Sequence, residues 1–140
     1  AHLHTWQTGI RGVAGNWSIP EYLNEMHARI APRYTAHDTY LANLVGALNQ
    51  ISLGATTVFD WCHNNATPAH SDAGIRGLKE SGIRAVFGHG SPKPDAKKGA
   101  LPFTHIPHPR SELERLRKSE LSDDDGLVTL AMAALGVDFS

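Results

Sequence analysis

The sequence predicts an α/β fold with a parallel sheet, and three observations support that prediction. Stretches with the periodicity of helices alternate with short apolar stretches along the chain. The apolar stretches, at 55–63, 83–89 and 127–133, are rich in β-branched and aromatic residues and carry few charges, as strands buried on both faces do. With 140 residues, 41% of them hydrophobic and 19% charged, the chain suits one domain with one core. Helices and strands that alternate in this way build parallel sheets through right-handed crossovers.

Two helices are predicted before the first of these strands. Residues 8–17 contain three glycines and indicate a loop or a broken turn of helix. The first helix begins after Ser18, where a glutamate three residues on completes a capping box, and it ends near Ile30. Thr35 opens the second helix in the same way, and Gly54 is placed to end it in the left-handed conformation. The second helix carries apolar residues at helical steps, namely Tyr40, Leu41, Leu44, Val45, Leu48 and Ile51.

Two further helices are predicted between the strands. Ser71 or Asp72 is expected to cap a helix that closes at Gly82. Residues 90–109 are rich in proline, lysine and glycine and predict a loop of about twenty residues, which we expect to be mobile and open to early proteolysis. The last helix is predicted at 111–121, before a break of three aspartates and a glycine.

Charge and composition limit the partners of the chain. The formal net charge of −1 gives no broad basic field, so neither nucleic acid nor an anionic membrane is expected as a partner, and small molecules are the default ligand. Cys62 is the one cysteine, which fits a reducing compartment. No signal peptide and no apolar run of about 18 residues is present, so we expect a cytoplasmic protein.

The chain opens with a histidine pair that could bind a metal. In an extended chain His2 and His4 project the same way while Leu3 points to the opposite side. Neutral imidazole suits zinc or iron, although a solvated, frayed terminus would account for the pair equally well. His63 and His89 end two successive predicted strands, where the ligands of parallel sheets gather. The alternative is that each of these two histidines satisfies a backbone group of its loop.

Three stretches of the sequence together resemble a known enzyme family. They are His2-Leu3-His4-Thr5-Trp6-Gln7-Thr8-Gly9-Ile10-Arg11-Gly12, then Leu53-Gly54-Ala55-Thr56-Thr57-Val58-Phe59-Asp60, then Gly82-Ile83-Arg84-Ala85-Val86. This pattern is similar to the metal-dependent amidohydrolase superfamily, in the branch that holds the cytosine and guanine deaminases, S-adenosylhomocysteine deaminase and the triazine hydrolases. The resemblance covers nearly the whole chain.

The resemblance implies a (β/α)8 barrel with one divalent metal, zinc or iron, at the carboxyl ends of the strands. His2 and His4 match the metal-binding pair at the end of the first strand, and Gln7 matches a position that lines the substrate pocket. The metal acidifies a water, and the resulting hydroxide attacks a ring carbon that bears an amino or halide group, so that ammonia or halide leaves. The residues expected to bind the heterocyclic substrate are Trp6, Gln7, His63 and His89, with Trp61 in the same pocket wall.

The chain also departs from the family pattern. A full barrel needs about 250 residues, and residues 1–140 match only the end of the first strand and strands two to four. The family's later ligands, two histidines and an aspartate, have no counterpart. We therefore expect the N-terminal portion of a longer hydrolase that is inactive alone. In it His2 and His4 lack the strand that would fix them and the remaining metal-binding partners, so they hold metal weakly or not at all. The alternative is a non-catalytic, truncated half-barrel that self-associates into a homo-oligomer through its open sheet edges.

Overall fold

A computed structural model describes residues 1–90 and 107–134, and these contain one four-stranded parallel sheet whose strands lie side by side in chain order. The strands are β1 His2–Leu3, β2 Thr57–Cys62, β3 Arg84–Gly90 and β4 Val128–Ala133. In register, His2 lies opposite Phe59, Cys62 opposite His89, and His89 opposite Met132. The prediction of an α/β fold with parallel strands is therefore confirmed.

The helices connect these strands. A 3-10 helix at Thr5–Ile10 follows β1. Helix α1, Ile19–Tyr22, continues as a π-helix at Leu23–Ile30 and a 3-10 turn at Ala31–Arg33. The remaining helices are α2 Ala36–Ser52, α3 Pro68–Ser81 and α4 Arg110–Lys118. Both predicted capping boxes are present, and Gly54 and Gly82 have the positive φ angles expected after α2 and α3.

Two predicted helix boundaries are wrong. Helix α3 begins at Pro68, one turn before Ser71, because a proline in the first turn loses no helical hydrogen bond and Thr67 already has the extended backbone of an N-cap. Helix α4 ends at Lys118, and the chain turns so that the amide of Leu121 donates to the carbonyl of Leu116 at 2.9 Å. Most of the loop predicted at 90–109 lies outside the described residues.

One face of the sheet is covered by helices. Alternate strand residues such as Val58, Cys62 and Phe87 are buried there with Ile75 and Leu78 of α3. The other face, which carries Phe59, Trp61, Val86 and Ala131, is partly exposed. Each side chain of a strand can therefore be assigned to one of the two faces of the sheet.

Helix α2 turns its small residues inward and its large apolar residues outward. A Cβ on Gly77 would lie 2.6 Å from the carbonyl oxygen of Tyr40, so α2 and α3 pack backbone to backbone and leave room only for small side chains between them. Leu41, Val45 and Leu48 are 43%, 53% and 48% exposed. Within the described residues, no helix is long and apolar enough to span a membrane.

Candidate functional site

Four histidine rings form a continuous row that begins at the amino terminus of the chain. The ring centres of His2 and His4 lie 5.2 Å apart and nearly perpendicular, at 86°. His4 stacks on His63 at 4.3 Å, and His63 meets His27 edge to face at 4.4 Å. We call these four residues the histidine row. Strand β1 and the residue after it supply two members, the residue after β2 supplies the third, and the π-helix supplies the fourth.

The pairing of β1 with β2 holds the histidine pair in place. The amide of Phe59 donates to the carbonyl of Ala1 at 2.7 Å, and Leu3 lies in register with Asp60. His4 Nδ1 lies 2.8 Å from the carbonyl oxygen of Trp61. Because a carbonyl only accepts, Nδ1 of His4 carries a proton, so the lone pair of the neutral ring lies on Nε2. The expectation that the pair lacks a strand to fix it is therefore wrong.

The arrangement of His2 and His4 fits a shared metal ion. With metal-to-nitrogen distances of about 2.0–2.1 Å, two imidazoles on one tetrahedral ion have ring centres about 5 Å apart, and the observed separation is 5.2 Å. The hydrogen bond from His4 to a backbone carbonyl is the support that metal-binding histidines usually have. In residues 1–90 and 107–134, however, no three His, Cys, Asp or Glu side chains are grouped to hold a metal ion. Among the described residues, the ring separation is therefore compatible with two imidazoles, those of His2 and His4, on one ion and with no third ligand.

Two aromatic rings lie beside the histidine pair on the partly exposed face of the sheet. The ring of His2 is 5.8 Å from that of Phe59 and 5.5 Å from that of Trp61. Both aromatic rings extend over the neighbouring strand, because a Cβ on Gly88 would lie 2.8 Å from Phe59 Cζ and a Cβ on Gly90 would lie 2.9 Å from Trp61 Nε1. The two glycines leave a flat aromatic surface next to His2, which a planar ligand could stack on.

The residues predicted to bind substrate from the first loop lie close to the histidine row. Trp6 is fully buried, and its indole N–H donates to His63 Nδ1 at 3.0 Å. This hydrogen bond fixes the ring of His63 within the histidine row. Gln7 is half-buried, and its amide donates to the hydroxyl of Tyr22 at 2.6 Å. The structure thus brings Trp6, Gln7 and His63 together around His4.

His89 lies away from this cluster. Its register partner is Cys62, and both side chains point to the helix-covered face, opposite to the face of His2. Only 1% of His89 is exposed, and its Nδ1 lies 3.4 Å from Nε2 of His108. Burial and, secondarily, the charge of His108 lower the pKa of His89 to about 4. Strand alternation alone separates His89 from the other predicted substrate-binding residues.

A buried carboxylate behind the histidine pair was not singled out from the sequence as a site residue. Asp60 is fully buried, accepts the backbone N–H of Thr5 at 2.9 Å and accepts an amide hydrogen of Asn43 at 3.0 Å. Burial raises the pKa of Asp60 to about 6, while hydrogen bonds from Thr5 and Asn43 act in the opposite direction. The alternation of β2 could have placed Asp60 on the buried face, but nothing local indicated that its partner would be Asn43.

His27 and Tyr22 were also missed. His27 is buried against Trp6, with ring centres 6.0 Å apart, and contacts the ring of Tyr22 at 5.1 Å. The segment that carries His27 is half polar and half apolar, and the one available signal was the four-residue spacing of His27 from Leu23.

A groove of about 640 Å³ opens beside the histidine pair. It lies between the 3-10 helix and α2 and is lined by His4 and Gln7 on one side and by Val45 and Leu53 on the other. The groove connects the candidate site with the exposed apolar residues of α2.

Comparison with known proteins finds relatives that are named deaminases. The 5'-deoxyadenosine deaminase of Methanococcus aeolicus is 30% identical over 89 residues, which are 64% of this chain and 19% of the relative. The 5-methylthioadenosine/S-adenosylhomocysteine deaminase of Symbiobacterium thermophilum is 34% identical over 89 residues, 62% of this chain and 20% of the relative. Its counterpart from Carboxydothermus hydrogenoformans is 29% identical over 98 residues, 70% of this chain and 21% of the relative.

The chain therefore spans about a fifth of the length of the curated relatives it matches. No protein-family model matches it, and no solved structure matches it significantly. These similarities support, in its broad form, the resemblance to deaminases of the amidohydrolase kind.

Proposed function

We propose that the chain is the N-terminal portion of a (β/α)8 barrel in a metal-dependent amidohydrolase, and that the whole protein hydrolyses an exocyclic C–N bond of an adenosine-like heterocycle. Water enters and ammonia leaves in this reaction. The observation that carries the proposal is the 5.2 Å separation of His2 and His4, with Nδ1 of His4 bonded to a carbonyl. The names of the relatives favour loss of an amino group over loss of a halide.

In this proposal His2 and His4 supply two imidazole ligands to one divalent ion, zinc or iron. The ion, when bound, lowers the pKa of water and so supplies a hydroxide nucleophile near neutral pH. The aromatic surface of Phe59 and Trp61 would stack on the flat heterocycle beside His2, and Gln7 would meet a polar edge of the substrate. His63 would keep the ring of His4 in orientation through the stacking contact.

The remaining parts of the site would come from outside the described residues, 1–90 and 107–134. Two imidazoles leave a catalytic metal short of about one protein ligand, and the chain spans about a fifth of its relatives. We therefore assign activity to a longer protein that carries this segment. Its predicted location is the cytoplasm and its predicted partner is a small heterocyclic molecule.

The test compares histidine variants of that longer protein. Release of ammonia from 5'-deoxyadenosine, 5'-methylthioadenosine and S-adenosylhomocysteine is measured together with bound metal. His2→Ala and His4→Ala should each lower kcat/KM by more than about a hundredfold and reduce bound metal. His37→Ala is the matched control because His37 is exposed on α2, stacked on Tyr40. Full activity of His4→Ala would refute the proposal.

A second candidate, a non-catalytic half-barrel that self-associates, is favoured by the exposed apolar row of α2. Leu41, Val45 and Leu48 lie along one side of the helix with the groove beside them. Sedimentation should then give a concentration-dependent dimer that Val45→Asp dissociates, while Asn49→Asp, in the same groove, leaves the dimer intact. A monomer at all concentrations would exclude this candidate.

A further inference from the structure

We propose that Asp60, oriented by Asn43, is a positioning residue for the His2–His4 pair. The inference rests on the proposed function, because it assigns to Asp60 a role toward the metal that the pair would hold. Asp60 and Asn43 are both fully buried and lie on different elements, β2 and α2.

The carboxylate has two donors and one oxygen for each. Oδ1 accepts the backbone N–H of Thr5 at 2.9 Å, and Oδ2 accepts from Nδ2 of Asn43 at 3.0 Å. An asparagine at position 60 could accept from Thr5 but would turn an N–H toward the N–H of Asn43. A carboxylate is therefore the side chain that satisfies both donors at once.

Two consecutive residues of β2 thus hold His4 from two sides. Strand β1 ends at Leu3, so the backbone ladder no longer fixes the peptide that joins His4 to Thr5. The side chain of Asp60 binds the N–H of that peptide, and the carbonyl of the next residue, Trp61, binds Nδ1 of the His4 ring. Together the two bonds set both the backbone and the ring of the ligand.

Asn43 is itself held by the close packing of α2 on α3. Its Nδ2 also donates to the carbonyl of Gly74 at 3.2 Å, and a Cβ on Gly74 would lie 3.1 Å from the same nitrogen. A Cβ on Gly77 would lie 3.1 Å from Asn43 Cβ. Helix α3 therefore fixes Asn43, Asn43 binds Asp60, and Asp60 binds the backbone next to His4.

Burial of this carboxylate is unfavourable for folding on its own account, which argues for a role beyond stability. Transfer of a carboxylate out of water is costly even when it is hydrogen-bonded. A neutral side chain at position 60 could accept the N–H of Thr5, but it would leave the amide of Asn43 without this acceptor.

The test uses the 140-residue chain with Asp60→Asn, and Val58→Ala as a control on the same strand and the same buried face. Zinc affinity is measured by NMR titration of the ring signals of His2 and His4. Independently of metal, ring 15N shifts report which nitrogen of His4 carries the proton. We expect Asp60→Asn to weaken zinc binding about ten- to a hundredfold and to convert His4 from one tautomer into a mixture. Val58→Ala should change neither readout.

Each outcome decides the proposal. Zinc affinity of Asp60→Asn within about twofold of the unmodified chain, or an equal loss in Val58→Ala, overturns it. If the unmodified chain binds no zinc at His2 and His4, the proposed metal-dependent function loses support. The positioning role of Asp60 is then decided by the tautomer of His4, and an unchanged tautomer in Asp60→Asn overturns that role. If Asp60→Asn does not fold, Asn43→Ala, which removes the amide donor and keeps the carboxylate, should give a smaller change of the same kind.

Discussion

Asp60 and His89 should change the stability of the protein with pH in opposite directions. Burial raises the pKa of Asp60 from 3.8 to about 6, so the folded state disfavours its charge. Protonated Asp60 therefore contributes to the free energy of unfolding. The contribution is fully present below 3.8, the pKa of Asp60 in the unfolded chain, and is lost as pH rises through about 6. Burial lowers the pKa of His89 from 6.5 to about 4, so its contribution is present above 6.5 and is lost as pH falls through about 4.

The two contributions are of similar size. At about 1.4 kcal/mol for each tenfold change in proton affinity, each residue changes the free energy of unfolding by about 3 kcal/mol across its window. Between about pH 4 and 6 the two changes nearly cancel in the unmodified chain. A variant that lacks one of the two groups should show the pH dependence of stability that the other group causes.

The assay is urea unfolding, followed by tryptophan fluorescence, at several pH values with a chelator present so that no cation alters the charge near Asp60. Relative to the unmodified chain, Asp60→Asn should gain about 3 kcal/mol of stability as pH rises across this window, and His89→Gln should lose about 3 kcal/mol. Carboxylates common to all three proteins cancel in these differences. A stability difference between Asp60→Asn and the unmodified chain that stays constant with pH would refute the assignment of these effects to burial.

Three further predictions concern packing, capping and metal. Alanine at Gly88 would place Cβ 2.8 Å from Phe59 Cζ, so urea unfolding should show a loss of about 1–3 kcal/mol. Gly126→Ala, whose Cβ would meet nothing nearer than 3.5 Å, should stay within about 0.5 kcal/mol. Thr35→Ala removes the acceptor for the amide of Asp38 at 3.2 Å and should cost about 1 kcal/mol in thermal unfolding; an unchanged stability would contradict the capping role. Elemental analysis of the purified chain should give less than one zinc or iron per molecule, since two imidazoles fill only part of the shell. A stoichiometric, tightly held ion would show that the chain completes the site itself.

Local chemistry explains why much of the fold could be predicted. Capping boxes such as that of Ser18 use residues three positions apart, and Gly82 ends α3 for a conformational reason that belongs to that residue alone. The β-branched stretches form strands because their apolar side chains are buried in the sheet. At the start of α3 the sequence offers two possible first turns, one at Pro68 and one after Ser71. The helix begins at Pro68, and Ser71 is a buried residue inside it.

The outward face of α2 could not be predicted, because it depends on what α2 packs against. The helical period of Leu41, Val45 and Leu48 indicates an apolar side, but Gly74 and Gly77 of α3 draw the opposite, small-residue side inward. Periodicity identifies a face and does not identify its partner.

The sequence by itself determined the order of helices and strands, the parallel sheet and the histidine pair, because each follows from spacing within a few residues. Only the tertiary structure decided which of the candidate residues meet. His63 joins His4 while His89 turns to the opposite face, since neighbouring strand positions point to opposite sides of the sheet and only the register between strands fixes which side each takes. The contact of Asp60 with Asn43 spans 17 positions and that with Thr5 spans 55, so both exist only after β1, β2 and α2 have packed together.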